Sequence, residues 1–300
     1  MAKKMTVAVL GLGGMGGGLA HRLCDLGWSP VVWNRSAERA AGFAGVAARI
    51  AATPADAADG TDVALISLAD ESAVEAVLFG PDGLAGALKP GAVVIDASTV
   101  TPAFSRDVTR RLAEAGVGRV EATLIGNPAQ ARHGEARVFA AGAPETVAHV
   151  RDLLVALGRQ LVELGATGNA STMKLVLNSL LGAQLVSLAE AVSYGEKAGL
   201  DRDLLLQTIS DSAFSSPVMS YRCAVMREER YDRPTFRAEL MEKDLRFAIG
   251  DAAEHGVTLP VIATADERYR ALVDSGRGGL DAAAILLQQF TDGGVRNETA

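Results

Sequence analysis

Two groups of residues in this 300-residue sequence have types and spacing suited to chemistry. The first is the run Gly11-Leu12-Gly13-Gly14-Met15-Gly16, which follows the apolar stretch Val7 to Leu10 and opens a helical pattern from Met15 to Leu26. Strand, tight turn and helix, in that order, give the G-x-G-x-x-G spacing its meaning as a dinucleotide site. Gly11 permits the turn, Gly13 lets a pyrophosphate approach the backbone, and Gly16 allows close packing of helix on strand. The helix N-terminus, with unpaired N–H groups and a positive dipole end, then faces the phosphates.

The second group is Lys174 and Asn178, four residues apart and so on one face of a helix. Both side chains are costly to bury without partners. Either the lysine snorkels to solvent and the amide caps a neighbouring backbone group, or the pair borders a site.

Between these groups, Asn34-Arg35-Ser36 closes the short strand Val31 to Trp33, where a dinucleotide fold tests the adenosine ribose. An acid at this place binds the 2′-hydroxyl and selects NAD. Here Arg35 offers a planar cation that pairs with phosphate, and Asn34 and Ser36 offer neutral hydrogen bonds. The expectation is a preference for NADP(H) over NAD(H).

The elements that must position these groups alternate. After the first strand and helix, strands are expected at Val31 to Trp33, Asp62 to Leu68, Gly91 to Ile95, Arg119 to Glu121, Arg137 to Ala140 and Gln160 to Glu163. Helices start at the capping pairs Thr53-Pro54 and Thr101-Pro102 and span Asp70 to Leu78. Strand and helix in alternation make a doubly wound parallel sheet. Its ligand lies beyond the C-terminal strand ends, at Gly11, Asn34, Leu68-Ala69, Ser98-Thr99 and the residues after Glu121. From Asn169 to Lys197 the pattern becomes one long helix, apolar nearly all round, as in a domain centre or a subunit interface. Only helical signals follow it, and the tail from Gly293 to Ala300 is expected to fray. The chain therefore reads as an N-terminal α/β domain over residues 1–165 and an all-α C-terminal domain over residues 166–300, joined by a long interdomain helix.

A net charge of −7 argues against nucleic acid or an anionic membrane as the main partner, since both need a basic face. No run of about 18 uninterrupted apolar residues occurs. Residues Met1-Ala2-Lys3-Lys4 lead into the first strand without the apolar segment of a secretory signal, so a cytoplasmic location is expected. Cys24 and Cys223 read as reduced thiols, and the four histidines have no metal-ligand spacing, so no metal is expected.

In this order along nearly the full length, the residues resemble the β-hydroxyacid dehydrogenase family. That family includes 3-hydroxyisobutyrate dehydrogenases, tartronate-semialdehyde reductases and plant-type glyoxylate/succinic-semialdehyde reductases. The resemblance is carried by the turn at 11–16, Asn34-Arg35-Ser36, Asp96-Ala97-Ser98-Thr99, the loop at Gly126, Lys174 with Asn178, and Lys243-Asp244-Leu245. It implies a Rossmann domain, a helical second domain like that of 6-phosphogluconate dehydrogenase, and homodimers or homotetramers. It further implies that Lys174 is catalytic, that Asn178 and the loop at Gly126 hold a substrate carboxylate, and that Thr99 and Lys243 lie against the cofactor.

The sequence departs from the family at that loop. Family members carry acid-Ala-Pro-x-Ser-Gly-Gly, whereas here the stretch is Glu121-Ala122-Thr123-Leu124-Ile125-Gly126-Asn127-Pro128. Ile125 falls at the serine and removes a hydroxyl donor, Asn127 adds an amide, and Pro128 stiffens the loop. The expected function is reversible hydride transfer between NADP(H) and a small hydroxy acid or its semialdehyde or oxo acid, with Lys174 as general acid and base. Two alternatives are an NADPH-dependent imine reductase on the same scaffold and a non-catalytic Rossmann binding protein. In imine reductases an Asp or Tyr commonly replaces the lysine.

Overall fold

Short runs of three or four apolar side chains, too short for helices and too apolar for surface strands, form the centre of the sheet. They are β1 (Val7–Leu10), β4 (Val63–Ile66) and β5 (Val93–Asp96), and every residue in them is buried. A computed structural model describes residues 5–47 and 49–292. The N-terminal Met1 to Lys4 and the tail from Gly293, read above as frayed, lie outside the described residues.

The sheet has eight strands. The others are β2 (Val31–Trp33), β3 (Arg49–Ile50), β6 (Gly118–Ile125), β7 (Arg137–Gly142) and β8 (Gln160–Glu163), in spatial order β3-β2-β1-β4-β5-β6-β7-β8. Side chains alternate between the faces. Val7, Val9, Leu65 and Ile95 join one core with Leu19, Leu23, Leu153 and Leu154. Ala8, Leu10, Ala64, Ile66 and Val94 join another with Val74, Leu78 and Leu112. The covering helices are α1 (Gly14–Asp25), α2 (Ala37–Ala41), α3 (Pro54–Ala58), α4 (Glu71–Phe79), α5 (Pro102–Glu114), α6 (Pro128–His133) and α7 (Pro144–Ala156). Thr53, Asp70, Thr101 and Asn127 cap four of them by accepting a backbone N–H three residues on.

The expected parallel sheet is corrected at one place: β6 and β7 run antiparallel, paired from Val120↔Gly142 to Ile125↔Arg137. A parallel return needs a crossover of about a dozen residues or more. Only residues 126–136, folded around the six-residue α6, join these two strands. The remaining neighbours pair parallel.

Helix α8 (Asn169–Lys197) spans the expected residues. The chain divides into two compact units within it, between Lys174 and Leu175. The second unit also contains α9 (Arg202–Asp211), α10 (Pro217–Arg227), α11 (Ala238–Glu254), α12 (Pro260–Leu272) and α13 (Ile285–Asp292). Its core gathers Leu185, Val192, Met226, Leu245 and Tyr269, and the fully buried Tyr269 hydroxyl donates to the Ala282 carbonyl at 3.0 Å. By length and composition α8 could cross a membrane, but half of its apolar window is buried, as are its polar Ser171, Asn178 and Ser179, as in a core helix. Cys24 and Cys223 are free, and burial raises both thiol pKa values above the ordinary range.

Candidate functional site

The glycine turn is built as its spacing requires. Gly11 has φ +90°, and its N–H donates to the Trp33 carbonyl at 2.9 Å. A β-carbon on Gly16 would stand 1.9 Å from the Gly11 carbonyl oxygen, so only glycine lets α1 start this close to β1. Gly13, at the N-cap of α1, faces open space. A β-carbon there would meet only Arg39 Nη1, at 3.6 Å. That gap, at a helix N-terminus with no side-chain cap, is a cradle of the kind a dinucleotide pyrophosphate fills. Leu12, Gly14 and Met15 complete the turn, and the Gly17 N–H closes it onto the Gly13 carbonyl at 2.7 Å.

Asn34 is committed to the turn. Its Oδ1 accepts the Leu12 N–H at 2.8 Å and its Nδ2 donates to the Ser36 carbonyl at 3.0 Å. Arg35 and Ser36 are exposed. Arg39, one turn into α2, places its guanidinium over Gly13 and was missed by the sequence reading. Neither Arg35 nor Arg39 has an ion-pair partner among the described residues, and Arg39 lies beside the cradle.

Next along the sheet edge, Leu68 and Ala69 follow β4, and Ser98 and Thr99 follow β5. Leu68 packs beside Gly11 and donates its N–H to Ser98 Oγ at 3.0 Å. The Ser98 N–H donates in turn to Asp96 Oδ1 at 2.9 Å. Ala69 is exposed and Thr99 half-buried. The structure thus strings Asn34, the glycine turn, Leu68 and Ser98 along the C-terminal strand ends.

The loop after β6 is drawn to the same place. Asn127 caps α6 reciprocally: its Oδ1 accepts the Gln130 N–H at 2.9 Å, and its own N–H donates to Gln130 Oε1 at 3.0 Å. With Oδ1 committed, Asn127 presents Nδ2 as its remaining side-chain donor. Helix α6 lies against α1 through glycines. A β-carbon on Gly14 would stand 2.9 Å from Pro128 Cγ, and one on Gly18 2.7 Å from the Pro128 carbonyl oxygen. Ile125 is half-buried and Gly126 exposed. His133 is exposed in the last turn of α6.

Lys174 is half-buried in the second turn of α8, and its Nζ donates to the Leu124 carbonyl at 2.8 Å, one residue before Ile125. The candidate proton carrier and the substrate loop are therefore joined inside the first unit. In the second unit, Asn178 is buried and its Nδ2 donates to Asp244 Oδ2 at 2.5 Å. Lys243 Nζ stands 3.0 Å from Asp244 Oδ1 and 4.9 Å from the Phe247 ring centroid. Asp244 collects both predicted side chains, a role the sequence reading did not give it. Arg222 of α10 is buried in an ion pair with Asp281.

Residues 6–165 match the family described as the NAD binding domain of 6-phosphogluconate dehydrogenase. Residues 168–288 match the family described as the NAD-binding domain of NADP-dependent 3-hydroxyisobutyrate dehydrogenase. L-threonate dehydrogenase of Cupriavidus necator is 32% identical over 281 residues, covering 93% of this chain and 94% of that protein. Glyoxylate/succinic semialdehyde reductase 2 of Arabidopsis thaliana is 29% identical over 284 residues, covering 94% of this chain and 78% of that protein. Among solved structures, 3-hydroxyisobutyrate dehydrogenase from Salmonella typhimurium superposes with a TM-score of 0.87 at 26% identity, covering 95% of this chain and 99% of that one.

Proposed function

This chain is an oxidoreductase that belongs to the β-hydroxyacid dehydrogenase family, and we propose that it reversibly reduces a small carboxylated aldehyde or oxo acid with NADP(H), using Lys174 to move the proton. The observation that carries this reading is the position of Lys174 Nζ, fixed on the Leu124 carbonyl beside the loop 125–128.

The cofactor, when bound, supplies the hydride. The turn Gly11 to Gly16 would hold its pyrophosphate, and Arg35, Ser36 and Arg39 would hold the 2′-phosphate. The Arg39 guanidinium beside Gly13 and the exposed Arg35 after β2 support NADP(H) over NAD(H). Asn34 holds the Leu12 N–H of the turn that would carry the cofactor. Leu68, Ala69 and Thr99 are assigned to the cofactor, and Gly126 and Asn127 to the substrate carboxylate. Ile125 contributes an apolar wall.

As the carbonyl carbon gains hydride, its oxygen develops negative charge. Lys174 in its ammonium form stabilises that charge and donates a proton, and in the neutral form it takes the proton back. A positioned acid of this kind contributes about 10²–10⁴ in rate.

A second copy of the chain is proposed to cover the exposed apolar residues Val176 and Leu180 on α8, giving a homodimer. Two free thiols suit the cytoplasm. The test of function follows NADPH absorbance at 340 nm with glyoxylate, succinic semialdehyde and a cyclic imine, and NADP⁺ reduction with L-threonate. Turnover of a carboxylated compound is expected. Turnover of the imine alone would replace this reading with that of an imine reductase.

A further inference from the structure

We propose that Glu121 is the positioning residue for Lys174: its carboxylate clamps the first turn of α8 to β6 and thereby fixes where the amine stands. The inference rests on the reading of Lys174 as the proton carrier.

Glu121 is buried in the middle of β6, at 1% exposure. Its Oε2 accepts the N–H groups of Gly168 and Ala170, at 2.9 and 3.2 Å. Its Oε1 accepts the Ser171 hydroxyl at 2.7 Å and the Ser105 hydroxyl. The first N–H groups of a helix have no partner within it. Here one acid satisfies two of them and the neighbouring hydroxyl, one turn before Lys174. Two residues along the same face of β6, Thr123 Oγ1 donates to the Ala170 carbonyl at 3.1 Å. One residue further, the Leu124 carbonyl takes the Lys174 ammonium. Three successive anchors on one strand thus set the register of the helix that carries the amine.

The acid is itself held from behind. Arg119, also buried, donates from Nη1 to Ser105 Oγ at 2.7 Å and from Nη2 to Asp96 Oδ2 at 2.7 Å. Asp96 and Ser98 continue the chain of hydrogen bonds to the Leu68 N–H at the cofactor edge. All four groups facing Glu121 are donors. A carboxylate meets them with two acceptor oxygens, whereas a carboxamide would turn an N–H₂ against two of them. Such a network is costly to satisfy in part.

The test is a double-mutant cycle on kcat, with the fastest carbonyl compound of the panel above and NADPH. Glu121→Gln is expected to lower kcat about 10–100-fold in the wild-type background and less than about twofold in Lys174→Ala, because residues acting as one unit are non-additive. The KM for NADPH should move by less than about threefold. Equal losses in both backgrounds, or none, would overturn the proposal. Wild-type turnover in Lys174→Ala would instead remove the reading beneath it. Ser171→Ala, which deletes one donor and spares the fold, repeats the cycle with an expected loss of about threefold. A readout without substrate is the rate of lysine acylation followed by mass spectrometry. Lys174 should label several-fold faster in Glu121→Gln while the exposed Lys197 does not change, and an unchanged Lys174 rate contradicts the clamp.

Discussion

Lys174 Nζ and the carbonyl oxygen of Leu124 stand 2.8 Å apart, tying α8 to the last residues of β6. Since Ile125 follows Leu124, the amine is fixed beside the loop 125–128.

Cofactor choice should follow the two arginines. Charge-assisted hydrogen bonds contribute about 1.5–3 kcal/mol, less where solvent screens them. Arg35→Ala and Arg39→Ala are each expected to raise the KM for NADPH by about 3–10-fold and to leave that for NADH nearly unchanged. Steady-state kinetics with both cofactors decides, and an equal effect on NADPH and NADH would place these side chains elsewhere.

Close packing of α6 on α1 gives a stability prediction. A β-carbon on Gly14 would lie 2.9 Å from Pro128 Cγ. Gly14→Ala should therefore cost about 1–3 kcal/mol by overpacking. Pro128→Ala removes the clashing atom and should recover part of that loss in the double variant. Thermal denaturation of the four proteins measures the coupling, and additive effects would mean that the two helices do not meet there.

Asn127 has two separable roles. Asn127→Ala loses the α6 cap and should cost about 1 kcal/mol. Asn127→Ser keeps a capping oxygen but removes the amide. It should retain the wild-type melting temperature while raising the substrate KM several-fold. An unchanged KM in the serine variant would confine Asn127 to capping.

The N-terminal ends of β1 and β4 carry a pH-dependent contact. Lys89, bonded to Asp62 at 2.5 Å, and the N–H and hydroxyl of Thr6 hold the Asp62 carboxyl well below the usual carboxylate range. A depressed folded-state value stabilises above the unfolded value, and that stabilisation fades as pH falls through the folded one. The melting-temperature gap between wild type and Asp62→Asn should be full at neutral pH and narrow below about pH 4. A gap constant with pH would contradict this account.

The sequence disclosed most of what packing dictates. Val7–Leu10, Val63–Ile66 and the long helix Asn169–Lys197 are legible because fully buried strands and core helices carry continuous apolar runs. The short α2, α6 and β3 were not read, since two to six residues hold too little periodicity. The reversed β7 was invisible for another reason: an apolar strand reads alike in either direction, and only the short connection 126–136 betrays it. In the candidate site, the sequence singles out residues recognisable by type and passes over those that hold others. Arg39 is placed by the turn of α2, Asp244 by its reach to Asn178, and Glu121 by a helix 47 residues further on. None of these distances is written in local sequence.

The central claim is that Lys174 moves the proton, and one comparison tests it. Wild type and Lys174→Ala are assayed side by side for NADPH oxidation at 340 nm with the best carboxylated aldehyde, and NADPH affinity is measured separately by fluorescence titration. The account predicts a loss of about 10²–10⁴ in kcat with NADPH affinity within about threefold of wild type. Retained turnover, or a loss of NADPH binding that matches the loss of rate, would contradict it.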